Sequence, residues 1–185
     1  IMFADLKRLW LVPAFRTLLI ARVISNFGNG LGPIALAFGV LGLEDATASS
    51  LSIVMAAQLG PMVLFMLFGG VIADRFPRAL VVGVSDILLS GFVITNGIML
   101  VNGTATVLSL AIIAFISGSL NALWWPAFAG LIPEIVDEDD LQSANAVIGL
   151  GANGANIAGT VTGGIIVAGI GAGWAMVADG VSFFI

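Results

Sequence analysis

The chain has 185 residues, of which 59% are apolar and 9% are charged, and its net charge is −5. A soluble domain carries about 25% charged residues, so the composition excludes an ordinary water-soluble protein and predicts an all-α bundle of transmembrane helices. The chain contains no Cys, His or Tyr and only six basic residues, which argues against disulfides, Cys/His metal sites, nucleophile–His catalysis and a nucleic-acid surface. We therefore predict neither an enzyme nor a metal site.

The charged residues divide the chain into apolar stretches long enough to cross a bilayer, which takes about 20 residues. We predict spans over residues 18–43, 51–73, 79–101, 107–132, 141–167 and 174–185, the last of them incomplete. Glycines clustered between Ala168 and Gly173 separate the last two spans, because such a cluster favours a turn. The chain starts at Ile1 and ends at Ile185 inside an apolar run, so we expect a fragment of a longer protein.

The basic residues predict the orientation. They lie in the N-terminal segment 1–17, early in the first span, or between the second and third spans: Lys7, Arg8, Arg16, Arg22, Arg75 and Arg78. Lys and Arg concentrate on the cytoplasmic side, so we predict a cytoplasmic N-terminal segment and a cytoplasmic second loop. The four tryptophans fall near predicted span ends, as expected of a belt at the membrane surface: Trp10, Trp124, Trp125 and Trp174.

The loop between spans two and three reads GGVIADRFPR over residues 69–78. Its Gly70, Ala73, Asp74, Arg75 and Arg78 match G-x-x-A-D-R-x-x-R, and the chain thereby resembles the major facilitator superfamily. The resemblance implies twelve spans in two six-helix halves, each built of two inverted three-helix repeats, with this chain as the amino-terminal half. It also implies that the loop latches the outward-facing state.

Other segments are similar to one bacterial branch of that superfamily, which includes macrolide and enterobactin exporters and is grouped with drug:proton antiporters. They cover residues 21–30, 126–134 and 141–146. Many members carry Asp where this chain has Asn29, so any proton role of that Asp is not available here.

The fifth span reads GTVTGG over residues 159–164, a partial match to the antiporter pattern G-P-x-x-G-G. Thr160 replaces the proline, while Gly159, Gly163 and Gly164 match. Close packing against a neighbouring helix and contact with substrate are both open roles for these glycines.

Three charged residues fall inside predicted spans: Arg22, Asp86 and Asp179. Such residues usually face the bundle interior and have a partner. Arg22 lies ~9 Å beyond Arg16 along its helix, and Asp86 ~12 Å beyond Arg78. Both helices start from the same side of the membrane, so the two residues lie at similar depth. We therefore predict that Arg22 and Asp86 are coupled, directly or through the signature loop. In the alternative, Arg22 reaches the headgroups and Asp86 caps a helix or supports packing. Asp179 is a candidate proton acceptor, or else a water-exposed residue at the external edge.

The resemblance predicts a secondary transporter that exports a small hydrophobic or amphipathic compound across the bacterial inner membrane. It implies a proton gradient and no cofactor. The expected partners are the substrate, the lipid bilayer and the missing C-terminal half. We predict that Asn26, Asn29 and Gln58 line the substrate cavity. The alternative is a non-transporting scaffold or a channel-like bundle, although no selectivity element of a channel is visible in the sequence.

Overall fold

The computed structural model describes residues 7–73 and 75–184, with the backbone alone at Ala73. Within these ranges the protein is all-helical, as predicted. After a helical turn over residues 7–10, six helices follow in the described ranges: α1 (Pro13–Leu41), α2 (Ala48–Ala73), α3 (Arg78–Val101), α4 (Val107–Ile135), α5 (Leu141–Ile170) and α6 (Ala172–Ser182). A 3-10 turn at Glu138–Asp140 lies between α4 and α5.

The helix ends follow local chemistry. Helix α1 begins at Pro13 rather than at Leu18, because proline suits a first helical position, where its missing N–H costs nothing. A reciprocal cap starts α4: Thr106 Oγ1 accepts from the Ser109 N–H at 3.1 Å, and Ser109 Oγ accepts from the Thr106 N–H at 2.9 Å. Gly171, with φ of +97°, separates α5 from α6, so the predicted glycine break is confirmed.

Four of the helices, α1 to α4, are long and apolar enough to cross a membrane. Helix α5 has 30 residues, which is ample length, but its many glycines and asparagines lower its mean hydropathy. Helix α6 has 11 residues. Membrane crossing by α5 and α6 therefore stays a prediction.

The helices pair in a symmetric pattern. The main contacts join α1 with α5, α2 with α4, and α3 with α6, and further contacts join α1 with α6 and α3 with α4. Exchanging α1–α3 for α4–α6 converts the pair α3–α6 into itself and each of the other four pairs into another pair of the same set. Two related three-helix units would produce such a pattern.

Glycines bring the paired backbones together. A Cβ at Gly159 of α5 would overlap the carbonyl oxygen of Phe27 in α1, and a Cβ at Gly118 of α4 would overlap that of Gln58 in α2. Only glycine leaves room for such an approach, which is a common way for transmembrane helices to pack.

Two apolar clusters fill the bundle, one near each end. The first includes Phe15, Leu19, Phe128 and Ile132, and the second includes Ala35, Leu36, Leu110 and Ala114. Along α1 and α4, buried polar residues lie between these clusters: Arg22, Asn26 and Ser117. The candidate site occupies this polar middle layer.

Candidate functional site

Two adjoining cavities lie in the polar layer, with volumes of about 130 and 210 Å³. Both are lined by Asn29 and Asn121, so they form one polar interior. The smaller cavity also contacts Gln58, Asn96 and Asp179, and the larger one contacts Arg22, Asn26, Asp86 and Asn156. All three residues predicted for the substrate cavity therefore line this interior.

Arg22 is enclosed by aromatic rings. Its side chain is 8% exposed, and its guanidinium carbon lies 4.5 Å from the ring centroid of Trp124, 4.7 Å from that of Phe128 and 5.4 Å from that of Trp125. A cation over aromatic faces is stabilised by the ring quadrupoles, more strongly when water is excluded. This burial does not fit the alternative in which Arg22 reaches the headgroups.

The burial of Trp124 contradicts the prediction of a belt at the membrane surface, whereas Trp125 is 44% exposed. Both lie inside α4 and face Arg22. Trp124 is 6% exposed and stacks on Phe128, with 4.7 Å between ring centroids and 8° between ring planes. Both rings contact the cation of Arg22, which their position along α4 does not reveal.

Asp86 lines the larger cavity together with Arg22, and the two residues also line a third cavity on the side of Phe128. The two charges are within electrostatic range of each other, yet within residues 7–73 and 75–184 they form no ion pair shorter than 4.0 Å. The buried indole Nε1 of Trp124 lies near Asp86 but outside ordinary hydrogen-bond geometry. The structure thus brings the predicted pair to one place, and their coupling stays a hypothesis.

Asp179 lies in the second half of α6 and faces the middle of α1. It is 5% exposed, and its Oδ1 is buried with no hydrogen-bond partner in the described part of the chain. A Cβ at Gly28 would lie 2.8 Å from Oδ1, and one at Gly32 would lie 2.5 Å from Oδ2. The two glycines make room for the carboxylate. This burial is at odds with the alternative of a water-exposed residue at the external edge.

Arg78, the last residue of the signature loop and the first of α3, contacts the C-terminal part of α4. Arg78 donates a hydrogen bond to the carbonyl oxygen of Gly130 at 2.5 Å, and its Nη1 lies 3.4 Å from Glu134 Oε1. Arg75 is exposed, and Asp74 lies outside the described residues.

The glycines of the signature loop and of the α5 motif differ in what they contact. Gly70 has open space on its side-chain face, whereas its neighbour Gly69 packs against Ala122 of α4. In the α5 motif, Gly159 and Gly163 pack on α1 and Gly164 has no neighbour within 4 Å. The first two therefore occupy packing positions.

Sequence reasoning missed several residues of the site. Gly28 and Gly32 form a small-x-x-x-small pattern, which marks helix contacts in membranes. The sequence therefore does contain a pattern from which these two glycines could have been predicted. Asn121 and Trp125 carry no such signal, because their proximity to Arg22 depends on the packing of α4 against α1. Within the described ranges, no three acidic residues are grouped as a metal site would require.

Comparison with known proteins identifies the family. The family model described as transmembrane secretion effector, MFS_3, matches residues 9–185. The chain belongs to this major facilitator family. The predicted resemblance is thereby confirmed, and the chain is a membrane protein of a transporter family rather than of an enzyme family.

The individual relatives are more distant. The chain is 26% identical over 167 residues to the enterobactin exporter EntS of Salmonella choleraesuis (strain SC-B67) and to that of Salmonella typhi. Each alignment covers 88% of this chain and 39% of the relative, so the chain spans well under half the length of these curated proteins. No solved structure matches it significantly.

Proposed function

We propose that the whole protein is a secondary active exporter of the bacterial inner membrane, with its N-terminus in the cytoplasm. It moves a small amphipathic compound out of the cell by alternating access and takes up protons in exchange. The family and the names of the relatives support export. Because the chain spans only part of those relatives, the activity is proposed for the complete protein.

The observation that best supports proton exchange is the environment of Asp179. A carboxylate in a water-poor interior is unfavourable unless it gains a partner or a proton. Oδ1 of Asp179 has no partner among the described residues, and the side chain lines a cavity with Asn29 and Gln58. Asp179 can therefore bind a proton at a place that a substrate also reaches.

The test uses the full-length protein. A compound panel in an efflux-deficient host first identifies a substrate, and reconstituted vesicles containing a pH-sensitive dye then report proton movement driven by that substrate. We expect Asp179→Asn to retain substrate binding and to lose the coupled proton movement. The control is Asp45→Asn, which changes an exposed acid between α1 and α2 and should leave the coupling intact.

Gly32→Ala is a second variant, since its added Cβ would lie 2.5 Å from Oδ2 of Asp179. It keeps the carboxylate but displaces it, so we expect weaker coupling in a folded protein. Unchanged proton movement in Asp179→Asn would remove this residue from the mechanism, whatever Gly32→Ala shows.

A further inference from the structure

Arg22 is a buried cation that lines the polar interior, and its Nε lacks a hydrogen-bond partner in the described part of the chain. A guanidinium carries five N–H donors in a planar fork that matches a carboxylate or phosphate. The guanidinium of Arg22 donates no hydrogen bond to any residue that the structure describes, and its Nε is buried without a partner. By contrast, Arg8 bonds to Asp140 and Arg78 bonds to Gly130.

The rings around Arg22 divide into two groups. Trp124 and Phe128 are buried and stacked on each other, so they hold the guanidinium in place. Trp125 is 44% exposed, meets Trp124 edge to face at 5.5 Å, and lines the larger cavity. Trp125 therefore presents a ring beside the cation that a ligand can contact.

The larger cavity suits a small aromatic group with a polar substituent. Its volume is about 210 Å³, and a water molecule in the liquid occupies about 30 Å³, so the space equals roughly seven waters. Amide side chains of Asn26, Asn121 and Asn156 also line it and can donate or accept hydrogen bonds. Most ligand pockets combine a ring surface with a few polar groups in this way.

We propose that Arg22 and Trp125 form a subsite for an aromatic ring bearing an oxyanion, such as an aryl carboxylate. Arg22 binds the oxyanion through its fork, and Trp125 stacks on the ring. The proposal rests on the proposed export function and names the substrate class: amphipathic compounds with an anionic aromatic end. Asp86, near the same guanidinium, balances its charge when no oxyanion is bound.

The test measures binding without a proton gradient, in the purified full-length protein, by calorimetry with three probes of similar shape. These are 2-naphthoate (anionic), 2-naphthamide (neutral) and 2-naphthylmethylamine (cationic). A charge-assisted hydrogen bond is worth enough to give the anion an advantage of about 10- to 100-fold over the amide. Equal affinity of naphthoate and naphthamide, or tighter binding of the amine, would overturn the proposal without any mutant.

Variants then show which residues cause the preference for naphthoate over naphthamide. Arg22→Gln should remove the advantage of naphthoate, Arg22→Lys should reduce it because lysine lacks the planar fork, and Arg16→Gln should leave it unchanged because Arg16 is exposed on the same helix. Size-exclusion profiles verify folding, and Arg22→Lys carries the test if Arg22→Gln does not fold. Trp125→Leu should weaken naphthoate and naphthamide alike, by about 2- to 10-fold, whereas Trp174→Leu should not.

A naphthoate advantage that persists in both Arg22 variants would refute the assignment. If proton-coupled export is observed but naphthoate has no advantage over naphthamide, the subsite fails and the transport proposal stands. If naphthoate binds with the expected preference but no coupled transport occurs, the proposed function fails separately.

Discussion

Two glycines of α5, five positions apart in one motif, should respond to alanine in opposite directions. A Cβ at Gly159 would overlap the carbonyl oxygen of Phe27 and lie 2.9 Å from its carbonyl carbon, whereas ordinary contact begins at 3.4 Å. The clash is with backbone, so α1 and α5 must separate before the Cβ fits. Overpacking of this kind costs about 1–3 kcal/mol, and the gain in helix propensity recovers at most about 1 kcal/mol.

Gly164 is the matched control, because nothing lies within 4 Å of the position where its Cβ would be. Gly164→Ala should therefore be neutral or stabilising by up to about 1 kcal/mol, through helix propensity alone. Thermal unfolding of the full-length protein in detergent, compared with wild type, gives the sign of each change. Equal shifts for the two variants would refute the view that the α1–α5 contact depends on Gly159.

Two further changes probe the polar layer and the signature loop. Gly130→Ala places a Cβ 2.5 Å from the guanidinium carbon of Arg78. Because the flexible Arg78 side chain can move aside, we expect the free energy of unfolding to change by less than about 1 kcal/mol. We also expect a slower transport cycle, measured as the initial export rate. A loss of stability as large as that of Gly159→Ala would contradict this reasoning. Asp86→Asn removes a negative charge near Arg22, so naphthoate affinity should rise a few-fold while naphthamide affinity stays constant, and weaker naphthoate binding would show that Asp86 positions Arg22.

The sequence predicted what depends on local pattern. The length of the apolar stretches predicted the helices, the clustered glycines predicted the break at Gly171, and the loop motif predicted the family. It also placed Arg22 and Asp86 at similar depth, because counting residues along a helix measures distance along its axis. Asn26, Asn29 and Gln58, predicted for a substrate cavity, line the polar interior, and their contact with a substrate stays a prediction.

The arrangement around those residues could not be predicted in the same way. Trp124 and Trp125 lie far from Arg22 in sequence, and they become neighbours only in the folded bundle, where their side chains meet that of Arg22. The burial of Asp179 depends on two glycines of another helix. Rotation of a helix about its axis decides such contacts, and an almost uniformly apolar helix carries little information on that rotation.

The glycine crossing between α1 and α5 affects how the protein can move. Interlocked side chains resist a change in crossing angle, since each must find a new rotamer as its neighbour shifts. Where Gly159 meets Phe27 and Gly30 meets Asn156, the contact is with backbone carbonyl oxygens. A small rotation at this crossing requires no side chain to change its rotamer. The glycines that hold the two helices together therefore also allow their crossing angle to change.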